Sequence, residues 1–127
     1  MRTEAEVQAL LAQVRERQID GIVQPSSVSL NIPGFIMEAT AAQAIPTMFE
    51  SVYFVEHGGL ASYGPDDYAS GWQAARLVDK ILKGTAPREI PVEVSTKLKF
   101  LINLKTAKAL GLTIAPHVLF QADEVMR

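Results

Sequence analysis

The spacing of apolar and polar residues over the first two thirds of the chain predicts alternating short strands and helices. Three short apolar runs that end in turn residues predict strands near 21–24, 46–49 and 60–63. Apolar residues at helical spacing, with capping and stop residues at their ends, predict helices over about 4–18, 33–44 and 51–57. This alternation is typical of an α/β fold in which parallel strands form an open, doubly wound sheet. We therefore predict a mainly parallel sheet.

The clearest helix is predicted to begin at Asp66-Asp67 and to end at Lys83-Gly84. One stripe along it is apolar and consists of Tyr68, Trp72, Ala75, Val78 and Leu82. After Pro87 and Pro91 the pattern predicts two strands, of which the second, near 97–102, alternates lysine with apolar residues. Asn103 is placed to cap a short helix that ends at Gly111, and Pro116 is placed to begin a last helical turn.

Composition narrows the possible functions. The chain has 127 residues, 48% hydrophobic and 20% charged, which suits a single globular domain over 1–127. A net charge of -2 argues against nucleic-acid binding, which needs a basic face. The chain has no cysteine, and its two histidines lie far apart in sequence, so neither a disulfide nor a histidine-built metal site is expected and no cofactor is predicted.

Two further patterns are absent from the sequence. No apolar run approaches the roughly 20 residues of a membrane-spanning helix. The first residues lack the order of basic and then apolar residues that a secretory signal has, so we expect no signal peptide in this chain.

Catalytic motifs are also missing. The sequence contains no Gly-x-Ser-x-Gly turn, no phosphate-binding loop and no His-Glu-x-x-His metal motif. The carboxylates of Asp66 and Asp67 are adjacent in sequence, which directs them away from each other rather than onto one substrate. We therefore predict that the protein is not an enzyme.

Two long stretches carry a resemblance to a known family. They are GGLASYGPDDYASGWQAARLVDKILKG, from Gly58 to Gly84, and PREIPVEVSTKLKFLINLKTAKALGLTIAP, from Pro87 to Pro116. Both resemble ABC-transporter substrate-binding proteins of the tryptophan/tyrosine-binding type, which have a type I periplasmic-binding fold. Shorter stretches, DGIVQPSS, IPTMFES and ADEV, fit the same family less closely.

The resemblance implies that the chain is the carboxy-terminal lobe of a two-lobed receptor, beginning after the strand that opens this lobe. By the same resemblance, the helix over about 66–84 crosses the hinge and packs on the first lobe, which this sequence does not contain. It also implies a small-molecule solute, an ABC permease as partner and a periplasmic or extracytoplasmic location. Because the apolar stripe would then lie bare, we expect a homodimer or larger homo-oligomer.

Candidate ligand-binding residues follow the predicted strands, because ligands of open parallel sheets bind beyond the carboxyl ends of the strands. They are Ser26, Ser27, Glu50, Ser51, Tyr63 and Asp66. Hydroxyl groups and free amides suit a carboxylate, and an acidic side chain suits an ammonium group, so an amino acid is a fitting ligand.

Each candidate also has a structural alternative. The serines could cap helices or satisfy a loop, and Asp66 could cap the following helix. Glu50 could be an exposed strand end, and Tyr63 could pack at a hinge.

Three classes of function stay open from the sequence. The first is a solute-binding component of an ABC import system. The second is a transcriptional sensor domain of the same fold, which should follow a DNA-reading helix-turn-helix. The third is a solitary lobe that self-associates through its bare surface.

Overall fold

The computed structural model describes residues 19–24 and 33–127, together with residues 9, 12 and 13; the side chains of 33–36 and 39 are not described. Its strands are β1 (Ile22–Val23), β2 (Thr47–Phe49), β3 (Ala61–Pro65), β4 (Leu98–Asn103) and β5 (Glu124–Met126). Its helices are α1 (Pro33–Ala42), α2 (Val52–Glu56), α3 (Asp67–Leu82), α4 (Leu104–Ala109) and α5 (Pro116–Gln121). A short 3-10 helix spans Pro87–Glu89. The predicted helix over 4–18 lies largely outside the described residues.

The strands form one five-stranded sheet in the order β1-β2-β3-β4-β5. β1, β2 and β3 run parallel, with Val23 beside Met48 and Met48 beside Ala61. β4 and β5 are also parallel to each other. The predicted α/β fold with a mainly parallel sheet is thereby confirmed.

β3 and β4 run in opposite directions. The backbone N–H of Asn103 donates to the carbonyl of Leu60 at 2.8 Å, and the rings of Tyr63 and Phe100 meet edge to face at 6.1 Å. Residue numbers rise along one strand while they fall along the other, which defines an antiparallel pair. The carboxyl ends of β1, β2 and β3 therefore lie at one edge of the sheet, and that of β4 lies at the opposite edge.

Local signals explain where the helices begin. The Ser51 side chain accepts a hydrogen bond from the backbone N–H of Tyr53, Asp66 accepts from Ala69, and Asn103 accepts from Lys105 and Thr106. Each of these residues satisfies amides that the first helical turn leaves without partners. These capping roles agree with the sequence prediction for all three helices.

The hydrophobic core lies between the sheet and its shorter helices. Its buried apolar residues are Phe49, Val55, Leu101, Ile102 and Ala107. The ring of Phe49 stacks on that of Phe54 with centroids 4.5 Å apart. β4 is buried on both faces at its end, because the neighbours Leu101 and Ile102 are both almost fully covered.

Two sequence predictions differ from the structure. Residues 92–97, predicted as a strand, have no regular secondary structure, and β5 was not predicted. The segment 92–97 is held by side-chain contacts of Ser95 and Glu93 with α3. β5 has only 3 residues, too few for a visible alternation.

The chain divides into two compact units, residues 1–64 with 100–127 and residues 65–99. We call them the sheet unit and the α3 unit. The sheet unit contains the core and most of the sheet. The α3 unit consists of the longest described helix, which has 16 residues, and the segment that follows it.

Candidate functional site

The carboxyl ends of β1, β2 and β3 bring several predicted site residues to one edge of the sheet. Gln24 follows β1, and its backbone N–H donates to the Met48 carbonyl at 2.9 Å. Glu50 and Ser51 follow β2 directly. The register of β2 and β3 pairs Phe49 with Ser62, so that Glu50 lies beside Tyr63. We call this group the carboxyl edge.

Gly64 permits the close packing of this edge. A Cβ atom at Gly64 would lie 1.8 Å from the carbonyl oxygen of Glu50, which is far inside van der Waals contact. The backbones of Glu50 and β3 can approach this closely only because residue 64 has no side chain. The position of Glu50 is therefore fixed by its neighbour strand.

Three polar atoms near the carboxyl edge are buried without a hydrogen bond. They are the Gln24 Oε1, the Glu50 Oε2 and the Ser62 Oγ, for which no described residue supplies a partner. Buried polar atoms in native proteins nearly always have a partner, so an unpaired group calls for a bound molecule or ordered water. Two of the three, Gln24 Oε1 and Glu50 Oε2, can only accept hydrogen bonds, which suits a ligand with N–H donors.

Glu50 is half-buried rather than the exposed strand end that was its structural alternative. Ser51 is engaged locally, because its hydroxyl accepts from the backbone N–H of Tyr53 at 3.3 Å. Tyr63 is half-exposed and rests against Phe100. These three residues share the carboxyl edge, with Tyr63 and Glu50 offering polar groups that are free to contact a ligand.

Asp66 lies in the α3 unit, where it has two structural partners. One carboxylate oxygen accepts from the Ala69 backbone N–H at 3.0 Å, and the other lies 3.4 Å from the Lys97 Nζ. The backbone hydrogen bond from Ala69 is the main cause that lowers the pKa of Asp66, and Lys97 adds to it against the opposing effect of desolvation. Asp66 thus stays ionised as a helix cap.

Ser26 and Ser27 lie outside the described residues, so their predicted ligand contacts stay predictions. Sequence reasoning missed Gln24 and Ser62. The signal for Gln24 was present, because a polar residue continues the short apolar strand Ile22–Val23 just before Pro25. Ser62 lies between Ala61 and Tyr63 in β3 and gave no comparable signal.

Metal and membrane sites can be judged for the described residues alone. Within 19–24 and 33–127, no three histidine, cysteine, aspartate or glutamate side chains are grouped to hold a metal ion. Among the helices that the structure describes, none combines the length and apolar character that a membrane span needs.

Comparison with known proteins adds the family. The family described as ABC transporter substrate binding protein matches residues 3–126. A conserved domain protein from Vibrio cholerae O1 biovar El Tor strain N16961 has a similar structure, with a TM-score of 0.76, 31% identity, and coverage of 95% of this chain and 41% of that chain. No curated protein matches this chain.

Two further solved structures are similar. An ABC domain in complex with L-Trp from Streptococcus pneumonia has a TM-score of 0.79 and 29% identity, covering 96% of this chain and 41% of that one. A substrate-binding protein with adhesive properties from Clostridium difficile, in a ligand-free open form, has a TM-score of 0.62 at 22% identity, covers 99% of this chain and 42% of that one, and supports the fold alone. The chain thus spans about 41% of the length of the first two structures.

Proposed function

This chain belongs to the ABC transporter substrate-binding protein family, and from that premise we propose that it supplies one ligand-binding surface of the solute-binding component of an ABC import system. The proposed ligand is a small organic solute such as an amino acid, and the proposed partner is an ABC permease. The proposed location is periplasmic or extracytoplasmic. Membership in a family of binding proteins favours binding over catalysis.

The unpaired carboxylate oxygen of Glu50 carries this proposal. It is buried at the carboxyl edge, where open sheets bind ligands, and no described residue donates to it. A buried carboxylate is costly unless a cation or several donors face it. The ammonium group of an amino acid would supply both the charge and the N–H donors.

The remaining predicted residues complete a zwitterion site in this proposal. Tyr63 and Ser51 offer hydroxyl groups at the same edge as Glu50, and Ser26 and Ser27 follow β1 in the sequence. Hydroxyl groups can donate to the ligand carboxylate. Asp66, the cap of α3, stays a ligand contact proposed from the sequence alone and is not placed against the carboxyl edge. The solved relative in complex with L-Trp supports a ligand of this class.

We expect the chain alone to bind such a ligand weakly. It spans about 41% of its solved relatives, so it supplies only part of the enclosing surface. High affinity requires burying most of a small ligand and excluding water from its polar contacts. Calorimetry with a panel of amino acids should therefore give weak or undetectable heats, and a sub-micromolar dissociation constant would contradict the proposal.

A nuclear magnetic resonance titration with L-Trp tests the position of the site. Amide signals of Glu50, Ser51 and Tyr63 should shift at millimolar ligand. Glu50→Gln should abolish these shifts, whereas the exposed control Glu56→Gln should leave them unchanged. If no signal at this edge responds at the solubility limit of L-Trp, or if the two variants behave alike, the edge is not the ligand surface.

A second candidate role, self-association, is favoured by the exposure of α3. Tyr68, Trp72 and Leu82 are 78%, 68% and 80% exposed, and no residue of this helix is buried. Apolar side chains in one stripe form a surface that soluble monomers rarely leave uncovered. We propose that a second copy of the chain covers it, and the Trp72 variant in the Discussion tests this.

A further inference from the structure

The edge of the sheet opposite the carboxyl edge holds a cleft of about 340 Å³ that lies wholly within the sheet unit. Thr47 begins β2, Gly58 and Gly59 precede β3, and Lys105 follows the end of β4. Because β4 runs against β3, its carboxyl end opens here, so this edge also has the strand-to-helix junction at which sheets bind ligands. We call this space the amino-edge cleft.

The lining of the amino-edge cleft is apolar apart from a few polar groups. Met37, Ala41, Ala44, Ile45, Ala109 and Leu110 supply the apolar surface. Among the described lining residues Lys105 alone is charged, and it forms no ion pair with another described residue. A volume of this size lies at the lower end of the range for small-molecule sites.

Thr47 supplies a polar group to the lining that can contact a ligand. It is only 6% exposed, lines the cleft, and its hydroxyl makes no hydrogen bond with the residues that the structure describes. The hydroxyl of Thr106, by contrast, donates to the Gly58 carbonyl at 3.0 Å. The Thr47 oxygen is not one of the buried unpaired atoms, so this hydroxyl reaches the open space of the cleft, where it can donate to a ligand.

The walls of the cleft are held in place before any ligand arrives. The Asn103 side chain donates to the Val55 carbonyl at 3.2 Å, which together with the Thr106 bond ties the α2–β3 turn to the start of α4. A Cβ atom at Gly59 would lie 2.9 Å from the Phe49 ring, so this turn packs directly on the core. A preformed wall lowers the ordering cost of binding.

The backbone amides at the start of α4 do not contribute to anion binding. Those of Lys105 and Thr106 already donate to the Asn103 Oδ1 at 3.0 and 3.2 Å. The Thr40 and Thr106 hydroxyls donate to backbone carbonyls, so the groups left for a ligand are the Lys105 ammonium and the Thr47 hydroxyl, at the border of an apolar surface.

From this arrangement we propose that the amino-edge cleft is a second binding site, which takes a small monocarboxylate with an apolar body. Lys105 faces the carboxylate, the Thr47 hydroxyl donates to it, and the apolar side chains of α1 and α4 cover the body. A single lysine matches a single negative charge, and none of the described residues that line the cleft is acidic.

Hexanoate is a suitable probe, with 1-hexanol and hexylamine as neutral and cationic controls. In a titration of the isotope-labelled chain, hexanoate should shift the amide signals of Thr47, Gly59 and Thr106 more strongly than hexylamine does. Lys105→Gln should weaken hexanoate binding about threefold to fivefold, as expected for a partly exposed charge pair. The same change should leave 1-hexanol binding unaltered.

Two variants make the test specific. Lys108→Gln removes a lysine of α4 that lies outside the lining, so it should leave hexanoate binding unchanged. Ala109→Leu adds bulk to the cleft and should weaken both hexanoate and 1-hexanol. The proposal is overturned if hexanoate shifts no amide signal of the cleft. It is also overturned if hexylamine binds as tightly as hexanoate, or if Lys105→Gln and Lys108→Gln change hexanoate binding equally. The two proposals are read from different amide signals, those of Glu50, Ser51 and Tyr63 at the carboxyl edge and those of Thr47, Gly59 and Thr106 at the cleft, so either can fail without the other.

Discussion

The sheet unit and the α3 unit are ordered by different forces. The sheet unit buries the five apolar side chains of the core, whereas none of the residues 65–99 is buried. Burial of apolar area is the dominant favourable term in folding, and the α3 unit obtains little of it from its own residues. Its order must come from helix caps and polar contacts.

Those polar contacts fasten the segment after α3 to the helix. They are a hydrogen bond between the Ser70 and Ser95 hydroxyls at 3.0 Å, a hydrogen bond from Gln73 to Glu93 at 2.9 Å, an ion pair between Arg76 and Glu93, and the pair of Lys97 with Asp66. Each such contact is individually weak, because water competes for the same groups. The α3 unit therefore presents its apolar residues outward while polar bonds hold its fold.

The largest expected effect tests this difference in burial. Leu101→Ala, in the core of the sheet unit, should lower the free energy of unfolding by about 2–5 kcal/mol because it removes buried contacts and leaves a cavity. The matched change Leu82→Ala, at an exposed position of α3, should change it by less than about 0.5 kcal/mol. Denaturant unfolding measures both, and similar losses for the two variants would show that α3 is covered as fully as the core.

Self-association is expected to depend on the α3 unit. If the stripe of α3 packs on a second copy, Trp72→Gln should weaken the association constant about tenfold or more, as truncation of a central aromatic often does. Phe120→Gln is the control, because Phe120 is also an exposed aromatic residue, 92% against 68% for Trp72, but lies in the sheet unit. Sedimentation at micromolar concentration gives the masses. A wild-type protein that sediments as one chain would refute self-association.

The same contrast explains how far sequence reasoning could reach. The bounds of α3 were predictable because its cap Asp66 and its stop Gly84 are local signals. The segment 92–97 misled the prediction, because its alternating valines face outward in a loop that side chains of α3 hold. That arrangement depends on residues about 20 positions away, which periodicity does not register.

The carboxyl edge and the amino-edge cleft also differ in how far local sequence signals could predict them. The carboxyl edge was predictable in part, because Glu50 and Ser51 directly follow an apolar run. The amino-edge cleft was not, since Thr47 and Lys105 are distant in sequence and carry no motif. Only the antiparallel step between β3 and β4 brings the end of β4 to that edge.

A pH dependence should appear in the α3 unit. The hydrogen bond from Gln73 is the main cause that lowers the pKa of Glu93, with Arg76 and Lys80 adding to it and desolvation opposing it. The pKa of Asp66 is lowered by its backbone bond from Ala69. A carboxyl group with a lowered folded-state pKa contributes stability above its unfolded value near 4, and this contribution is lost as the pH falls through the folded value.

We therefore expect the segment 93–97 to open on acidification below about pH 4, before the sheet unit unfolds. Amide exchange of Asp66, whose N–H donates to the Lys97 carbonyl at 2.9 Å, measures this opening against pH. Glu93→Gln should raise the exchange at neutral pH and flatten its acid dependence, whereas Glu89→Gln, at an exposed position, should preserve the wild-type curve. Parallel acid unfolding of both units would show that these contacts do not order the segment separately.

The smallest expected effect compares the ends of two helices, one in each unit. Both helices end with the same pair of backbone hydrogen bonds. After α1, Ala44 N donates to Ala41 O and Ile45 N donates to Thr40 O. After α3, Gly84 N donates to Ile81 O and Thr85 N donates to Lys80 O. At each helix end the backbone turns through a residue in the left-handed conformation, Ala44 with φ 54° and Gly84 with φ 101°. Glycine adopts this conformation freely, whereas an L-residue is strained in it by about 1–2 kcal/mol.

Exchanging these residues should give effects of opposite sign. Ala44→Gly should raise the free energy of unfolding by up to about 1 kcal/mol, because relief of strain exceeds the added flexibility of the unfolded chain. Gly84→Ala should cost a similar amount, but in the α3 unit, where nothing lies within 4 Å of a new Cβ atom and only the backbone resists. If the α3 unit is held by local bonds, this loss appears as faster amide exchange in α3 and leaves the global denaturation midpoint nearly unchanged. A midpoint that falls as far for Gly84→Ala as it rises for Ala44→Gly would mean that the two units unfold together.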